Sequence, residues 1–225
     1  NSFVRLQGQA CDRSDQAGFE AGKVLLLPGH TLDPEGGRMS LADAPIVFLG
    51  EDADDLLGHG VSSAGDMDGD GLQDIVLGAY GSDEYTGKAY VILGASVEDE
   101  LSMDVGEADF LFNGEYPKDE AGLITSAAGD VDGDGLGDVV ISAMYNKEVG
   151  DGFTPTERSG SGKVYVVTAA ELPTPGVTTS LADVERAWLA EGDGDALACG
   201  TSAVGDVDGD GLDDVIMGAF GNDEG

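Results

Sequence analysis

Three copies of one stretch constrain this chain more than any other feature: GDMDGDGLQDIVLGA at 65–79, GDVDGDGLGDVVISA at 129–143 and GDVDGDGLDDVIMGA at 205–219. Each holds aspartates at four shared positions within nine residues, the third copy adding Asp213, with glycines between them and an apolar run immediately behind. Counted from the first aspartate, positions 1, 3, 5 and 9 are Asp66, Asp68, Asp70 and Asp74, then Asp130, Asp132, Asp134 and Asp138, then Asp206, Asp208, Asp210 and Asp214. Carboxylates at alternate positions of a tight loop turn hard oxygens toward one point, as a calcium ion requires. Gly71, Gly135 and Gly211 at position 6 allow the positive-φ turn that closes such a loop. Leu72, Leu136 and Leu212 at position 7 are expected to lend a backbone carbonyl while their side chains enter the core.

A single copy would read as a solvated acidic turn. Three copies, each with the same fourth aspartate and the same following strand, point instead to metal, because clustered carboxylates repel unless a cation neutralises them. An EF-hand loop ends on a bidentate Glu at position 12 between helices; here position 12 is Leu77, Ile141 or Met217, inside an apolar run. Zinc would call for Cys or His among the ligands, and magnesium for fewer protein ligands and more water. The expectation is three Ca2+ sites.

The chain carries 45 acidic against 10 basic residues, a formal net charge of −35, which three Ca2+ would reduce only to −29. Such a surface repels nucleic acid and anionic membranes. No run approaches the length of a membrane span, so membrane insertion is not expected. Asn1 reads as a mature or truncated start. Two cysteines, Cys11 and Cys199, are too few for a disulfide-rich scaffold; they would pair with each other, pair with sequence elsewhere, or stay buried as thiols. Low-affinity calcium loops suit the millimolar calcium outside cells, so an extracellular or cell-surface location is expected.

The repeat extends beyond the loop. Upstream lie SLADAPIVFLGE (40–51), SMDVGEADFLFNGE (102–115) and SLADVERAWLAEG (180–192); Gly-Lys strands GKVLLL, GKAYVI and GKVYVV begin at 22, 87 and 162. Fixed periods of this size signal stacked or circular arrays. Each unit reads as four short strands: small-residue (GVSSAG, ITSAAG, GTSAVG), apolar (DIVLGA, DVVISA, DVIMGA), Gly-Lys, and aromatic (IVFLG, DFLFNG, AWLAEG). Small residues suit a crowded axis and aromatics a roomy rim, so the fold class expected is all-β, a β-propeller. The chain divides into a partial blade at 1–39, repeats at 40–101 and 102–179, and a truncated repeat at 180–225, all within one propeller.

Gly-Glu, a short linker, a small-residue strand, GDxDGDGxxD, an apolar strand and Gly-Lys-Val-Tyr together resemble FG-GAP repeats, which form the seven-bladed propeller of integrin α subunits. The resemblance covers nearly the whole chain. It departs where the naming Phe-Gly stands as Leu57-Gly58, Ala121-Gly122 and Leu197-Ala198. It implies a segment of a seven-bladed ring, with side-chain ligands at loop positions 1, 3, 5 and 9. The alternative is a compact four-bladed ring closed by the two ends. Open blade edges would also let two copies self-associate.

Function is therefore expected to be a non-catalytic, calcium-binding module serving adhesion, recognition or assembly. Its protein or carbohydrate ligand would meet the face opposite the loops, where the long insertion carries Tyr145, Phe153 and Arg158 and neighbouring connections add Tyr80, Tyr85, Tyr116 and Phe220. Against catalysis, His30 and His59 occupy different repeat positions, and no nucleophile or phosphate-loop motif occurs. The alternative is the propeller portion of an exported hydrolase or lyase, its active site in the channel or in other sequence.

Overall fold

The apolar run behind each aspartate loop is a strand, and in two of the three copies neither face of it is open to solvent. All six residues of Asp74–Ala79 are buried, as are all six of Asp138–Ala143. Alternate side chains of a strand point to opposite faces, so a continuous apolar run needs a partner on both sides. The structure is a computed structural model and describes residues 20–31, 40–98, 101–146, 160–192 and 194–222. Its strands in chain order are β1 (Lys23–Leu26), β2 (Ile46–Leu49), β3 (Leu57–Gly65), β4 (Asp74–Ala79), β5 (Lys88–Ile92), β6 (Leu101–Asp104), β7 (Phe110–Asn113), β8 (Ala121–Gly129), β9 (Asp138–Ala143), β10 (Lys163–Val167), β11 (Thr178–Ser180), β12 (Arg186–Leu189), β13 (Leu197–Gly205) and β14 (Asp214–Ala219).

These strands form four sheets ordered β1-β2-β6, β11-β7-β5-β4-β3, β12-β10-β9-β8 and β13-β14, here numbered I to IV. The architecture is all-β, with antiparallel meanders of the kind that make FG-GAP propeller blades. The aspartate loops join β3 to β4, β8 to β9 and β13 to β14, as the sequence predicts. In sheet II the meander runs from Leu57 to Asn113, so a sheet begins at the small-residue strand and ends at the aromatic one.

The sheets pack face to face in order. Ile75, Leu77 and Ala79 of β4 join Ile46 and Phe48 of sheet I, while Val76 turns the other way to meet Val139, Ile141 and Tyr165 of sheet III. Val140, Val164 and Val166 then meet Ala198, Val215 and Met217 of sheet IV. Where the apolar strand β4 meets the small-residue strand β8 of the next sheet the backbones nearly touch: a Cβ placed on Gly78 would lie 1.8 Å from the carbonyl oxygen of Gly122.

A second staple recurs at the glycine of each Gly-Lys pair. Gly22 bridges Leu57 and Gly87 bridges Ala121, each in the next sheet. The Leu57, Ala121 and Leu197 amides donate to the Ala21, Thr86 and Ser161 carbonyls at 3.0, 3.1 and 3.0 Å. Gly87 has φ +83°, and a Cβ there would stand 2.2 Å from Ala121 O, so the position excludes other residues both by conformation and by space.

The expectation of four-stranded units needs correction at the rim. Between its third and fourth strands the chain leaves its own sheet and adds a short strand, in parallel, to the outer edge of the preceding one. Thus β6 pairs with β2, and β11 pairs with β7. Sheet II consequently has five strands, the fifth contributed by the following repeat. An outer strand otherwise presents unpaired N–H and C=O groups, and the neighbour's excursion satisfies them.

Candidate metal loops and the opposite face

Each aspartate loop is wound by its own carboxylates. Asp66 Oδ1 and Oδ2 accept the Gly69 and Gly71 amides at 2.8 and 2.9 Å. Asp130 does the same with Gly133 and Gly135 at 2.7 and 2.9 Å, and Asp206 with Gly209 and Gly211 at 2.7 and 3.0 Å. One oxygen each of Asp68, Asp132 and Asp208 accepts the amide two residues on, as does one oxygen each of Asp70, Asp134 and Asp210. Gly71, Gly135 and Gly211 have φ of +87°, +86° and +94° with no atom near a notional Cβ, so conformation alone selects glycine there.

These turns bring carboxylate oxygens within 4.8 Å of one another in three groups: Asp66, Asp68 and Asp70; Asp130, Asp132 and Asp138; and Asp206, Asp208 and Asp210. Three hard anionic oxygens at this separation fit a divalent cation of the calcium type better than a soft metal.

The position-9 aspartates also tie the loop to its sheet. Asp74 is fully buried; its two oxygens accept the Met67 amide and the Gly94 amide, both at 2.7 Å. Asp138 repeats this with Val131 and Ala169 at 2.8 and 2.9 Å, and Asp214 accepts from Val207 at 2.8 Å. Burial pushes the Asp138 carboxyl up to about 6, against its hydrogen bonds, and the neighbouring Asp132 and Asp134 charges add to the rise. Asp74 shifts the same way, chiefly by burial. A bound cation would reverse that balance.

The leucines at position 7 depart from expectation. Leu72 and Leu212 are 47% and 36% exposed rather than in the core. They precede β4 and β14 by two residues. Leu136 and Leu212 instead lie against Gly69 and Gly133 of the preceding loop, where an added Cβ would meet their Cδ2 atoms at 3.2 and 2.9 Å. The loops are also joined by backbone: the Gly137 and Asp213 amides donate to the Asp66 and Asp130 carbonyls, both at 2.8 Å.

On the opposite face, Tyr80 is buried, edge-on to His59 with ring centroids 5.5 Å apart, and Tyr85 lies tilted to Tyr80 at 6.3 Å. Tyr116 and Phe220 are exposed and Tyr145 is half-buried. Phe153, Arg158 and Cys11 lie outside the described residues. His59 Nδ1 is 2.9 Å from the Leu123 carbonyl of the next sheet, and His30 sits far off in the Gly29–Thr31 turn. Cys199 is a half-buried thiol.

Sequence reasoning missed one recurring group here. Asp55, Asp119 and Asp195, each four residues after a Glu, are buried and close a turn by accepting the amides of Asp52, Tyr116 and Gly192. Asn146 and Asn222 reach Asp119 and Asp195 at 2.7 and 3.2 Å. The spacing Glu-x3-Asp before every small-residue strand was the available signal.

Comparison with known proteins places this geometry. A family profile described as FG-GAP repeat matches residues 58–92 and 123–167. The chain is 26% identical over 187 residues to integrin alpha-PS2 of Drosophila melanogaster, covering 79% of this chain and 12% of that protein. It is 30% identical over 165 residues to integrin alpha-4 of Xenopus laevis, covering 71% of this chain and 14% of that protein. The chain thus spans a small part of the length of these relatives.

Proposed function

We propose that this chain, which carries FG-GAP repeats and is similar to a segment of integrin α subunits, is a calcium-stabilised β-propeller module of an exported or cell-surface protein, serving adhesion or recognition. The observation that carries the reading is the convergence of three aspartates, three times over, on loops that also connect one sheet to the next. The residues that would hold Ca2+ are Asp66, Asp68, Asp70 and Asp74, with their equivalents Asp130, Asp132, Asp134 and Asp138, and Asp206, Asp208, Asp210 and Asp214, helped by the carbonyls of Leu72, Leu136 and Leu212. A cation there supplies charge neutralisation, and the loops, being bonded to one another, spread that stabilisation across sheets.

The role proposed for the ion is structural. The side of the sheets away from the loops, with exposed Tyr116 and Phe220, is the proposed ligand-binding face, for a protein or carbohydrate partner. Among the described residues no helix is long and apolar enough to cross a membrane.

Calorimetric titration with Ca2+, followed by thermal unfolding with and without chelator, tests the reading. Saturable binding and a higher melting temperature with calcium are expected. An unfolding curve indifferent to chelator would overturn the structural role of the ion.

A further inference from the structure

We propose that Arg186 weakens the second aspartate loop as a cation site, so that it fills at higher calcium than the first. The inference rests on reading the loops as calcium sites and concerns how that binding is tuned. Arg186 Nη2 lies 3.9 Å from Asp132 Oδ2, while Nη1 lies 3.3 Å from Glu171 Oε2 and 3.4 Å from Thr168 Oγ1. Asp132 is one of the three carboxylates converging in this loop. The guanidinium is therefore braced by Glu171 and Thr168 beside an oxygen that a cation would need.

Register sets sheet III apart from sheets I and II in this respect. Arg186 pairs with Val166; the matching position in sheet II is Phe110, paired with Val91, and in sheet I it is Ile46, paired with Leu26. Phe110 and Ile46 are buried and apolar. Among the described residues, sheet III therefore differs from sheets I and II in having a permanent positive charge built into this position. A divalent ion on Asp132 must either displace the guanidinium or sit a few ångströms from it, and like charges at that separation cost binding energy. The other two convergent groups are already held, Asp130 by the Gly133, Asp134 and Gly135 amides and Asp138 by two backbone amides, so neither is free to swing out and compensate.

The test is a calcium titration of the 225-residue chain carrying Asp68→Asn and Asp208→Asn, which leaves the second loop intact, compared with the same protein carrying Arg186→Gln in addition. Loss of the charge is expected to tighten Kd about three- to tenfold, with a smaller effect at high salt. Arg186→Lys, which keeps the charge and loses the fork, is expected to stay near the parent value. An unchanged or weaker Kd in the Gln variant would overturn the proposal, as would tightening in the Lys variant to the same degree. Melting temperatures in chelator establish that each variant is folded. If the unmodified chain binds no calcium at all, the reading of the loops fails first and the proposal with it; if it binds but the second loop never does, even with Arg186→Gln, only the proposal falls.

Discussion

Lys163 Nζ donates to Glu115 Oε1 at 2.7 Å, with the two side chains only 10% and 5% exposed. The lysine opens β10 of sheet III, and the glutamate follows β7 of sheet II, so the pair spans a sheet junction. One junction earlier, Lys88 and Glu51 repeat the contact at 3.3 Å, with 16% and 26% exposure, and Tyr90 Oη also donates to Glu51 at 2.6 Å. Breaking a buried pair strands a charge, whereas a partly wet pair is worth little. Lys163→Met is therefore expected to cost about 3 kcal/mol, and Lys88→Met about 1 kcal/mol, in chemical unfolding at fixed calcium. Equal losses at the two sites would refute the burial argument.

Two glycine substitutions separate conformation from space. Gly71→Ala incurs only the positive-φ penalty, about 1–2 kcal/mol, because nothing lies near its Cβ. Gly87→Ala incurs that penalty and also collides with the Ala121 backbone, so sheets II and III must part. Soluble, folded Gly71→Ala beside an unfolded or aggregated Gly87→Ala is the expected result, read by circular dichroism and light scattering. Comparable stability of the two would show that the Gly87 staple is not needed.

Positions 3 and 9 of the aspartate loops should respond differently to chelator. Asp74 accepts two backbone amides, one on each oxygen, and an amide nitrogen in its place would face one N–H with another. Asp74→Asn is thus expected to cost about 1–3 kcal/mol even in chelator. Asp68→Asn keeps an acceptor for the Asp70 amide and should lose stability only when calcium is present in the comparison. Melting curves of both variants in both conditions decide it; identical behaviour would mean position 9 has no ion-independent role.

Asp119 predicts a pH signature away from the loops. Burial pushes its carboxyl up to about 6, and the Asn146 and Tyr116 hydrogen bonds pull it only partly back. The folded state holds this proton more tightly than the unfolded chain, so stability is lost as pH rises from about 4 to about 6. Relative to Asp119→Asn in chelator, the parent should lose on the order of 2 kcal/mol across that interval. A difference in unfolding free energy that stays flat with pH would contradict the shift.

What sequence made legible is what repeats with strong local chemistry. The aspartate loops, the apolar strands behind them and the Gly-Lys strands stand where their pattern places them, because each is determined by neighbours within a few residues; of the twelve loop aspartates nine converge, while Asp74, Asp134 and Asp214 fall outside the convergent groups. β6 and β11 escaped notice since LSMD and TTS are short, weakly patterned, and become strands only by pairing with residues far upstream. Leu136 and Leu212 at position 7 differ from expectation for a similar reason: they pack on the preceding loop, which no local period encodes. Arg186 is an ordinary surface arginine in sequence, and only register sets it beside Asp132.

The parallel pairing of β6 on β2 and of β11 on β7 also orders events in time. As the chain leaves the ribosome, sheets I and II cannot be finished by their own meander strands, since the outer edge of each waits for residues made later. Sheet II acquires its last strand only after Thr178–Ser180 has emerged, well past its own final meander strand at Phe110–Asn113. In these two sheets the repeat made later seals the one before it, so until then their raw outer edges are what a chaperone would have most to protect.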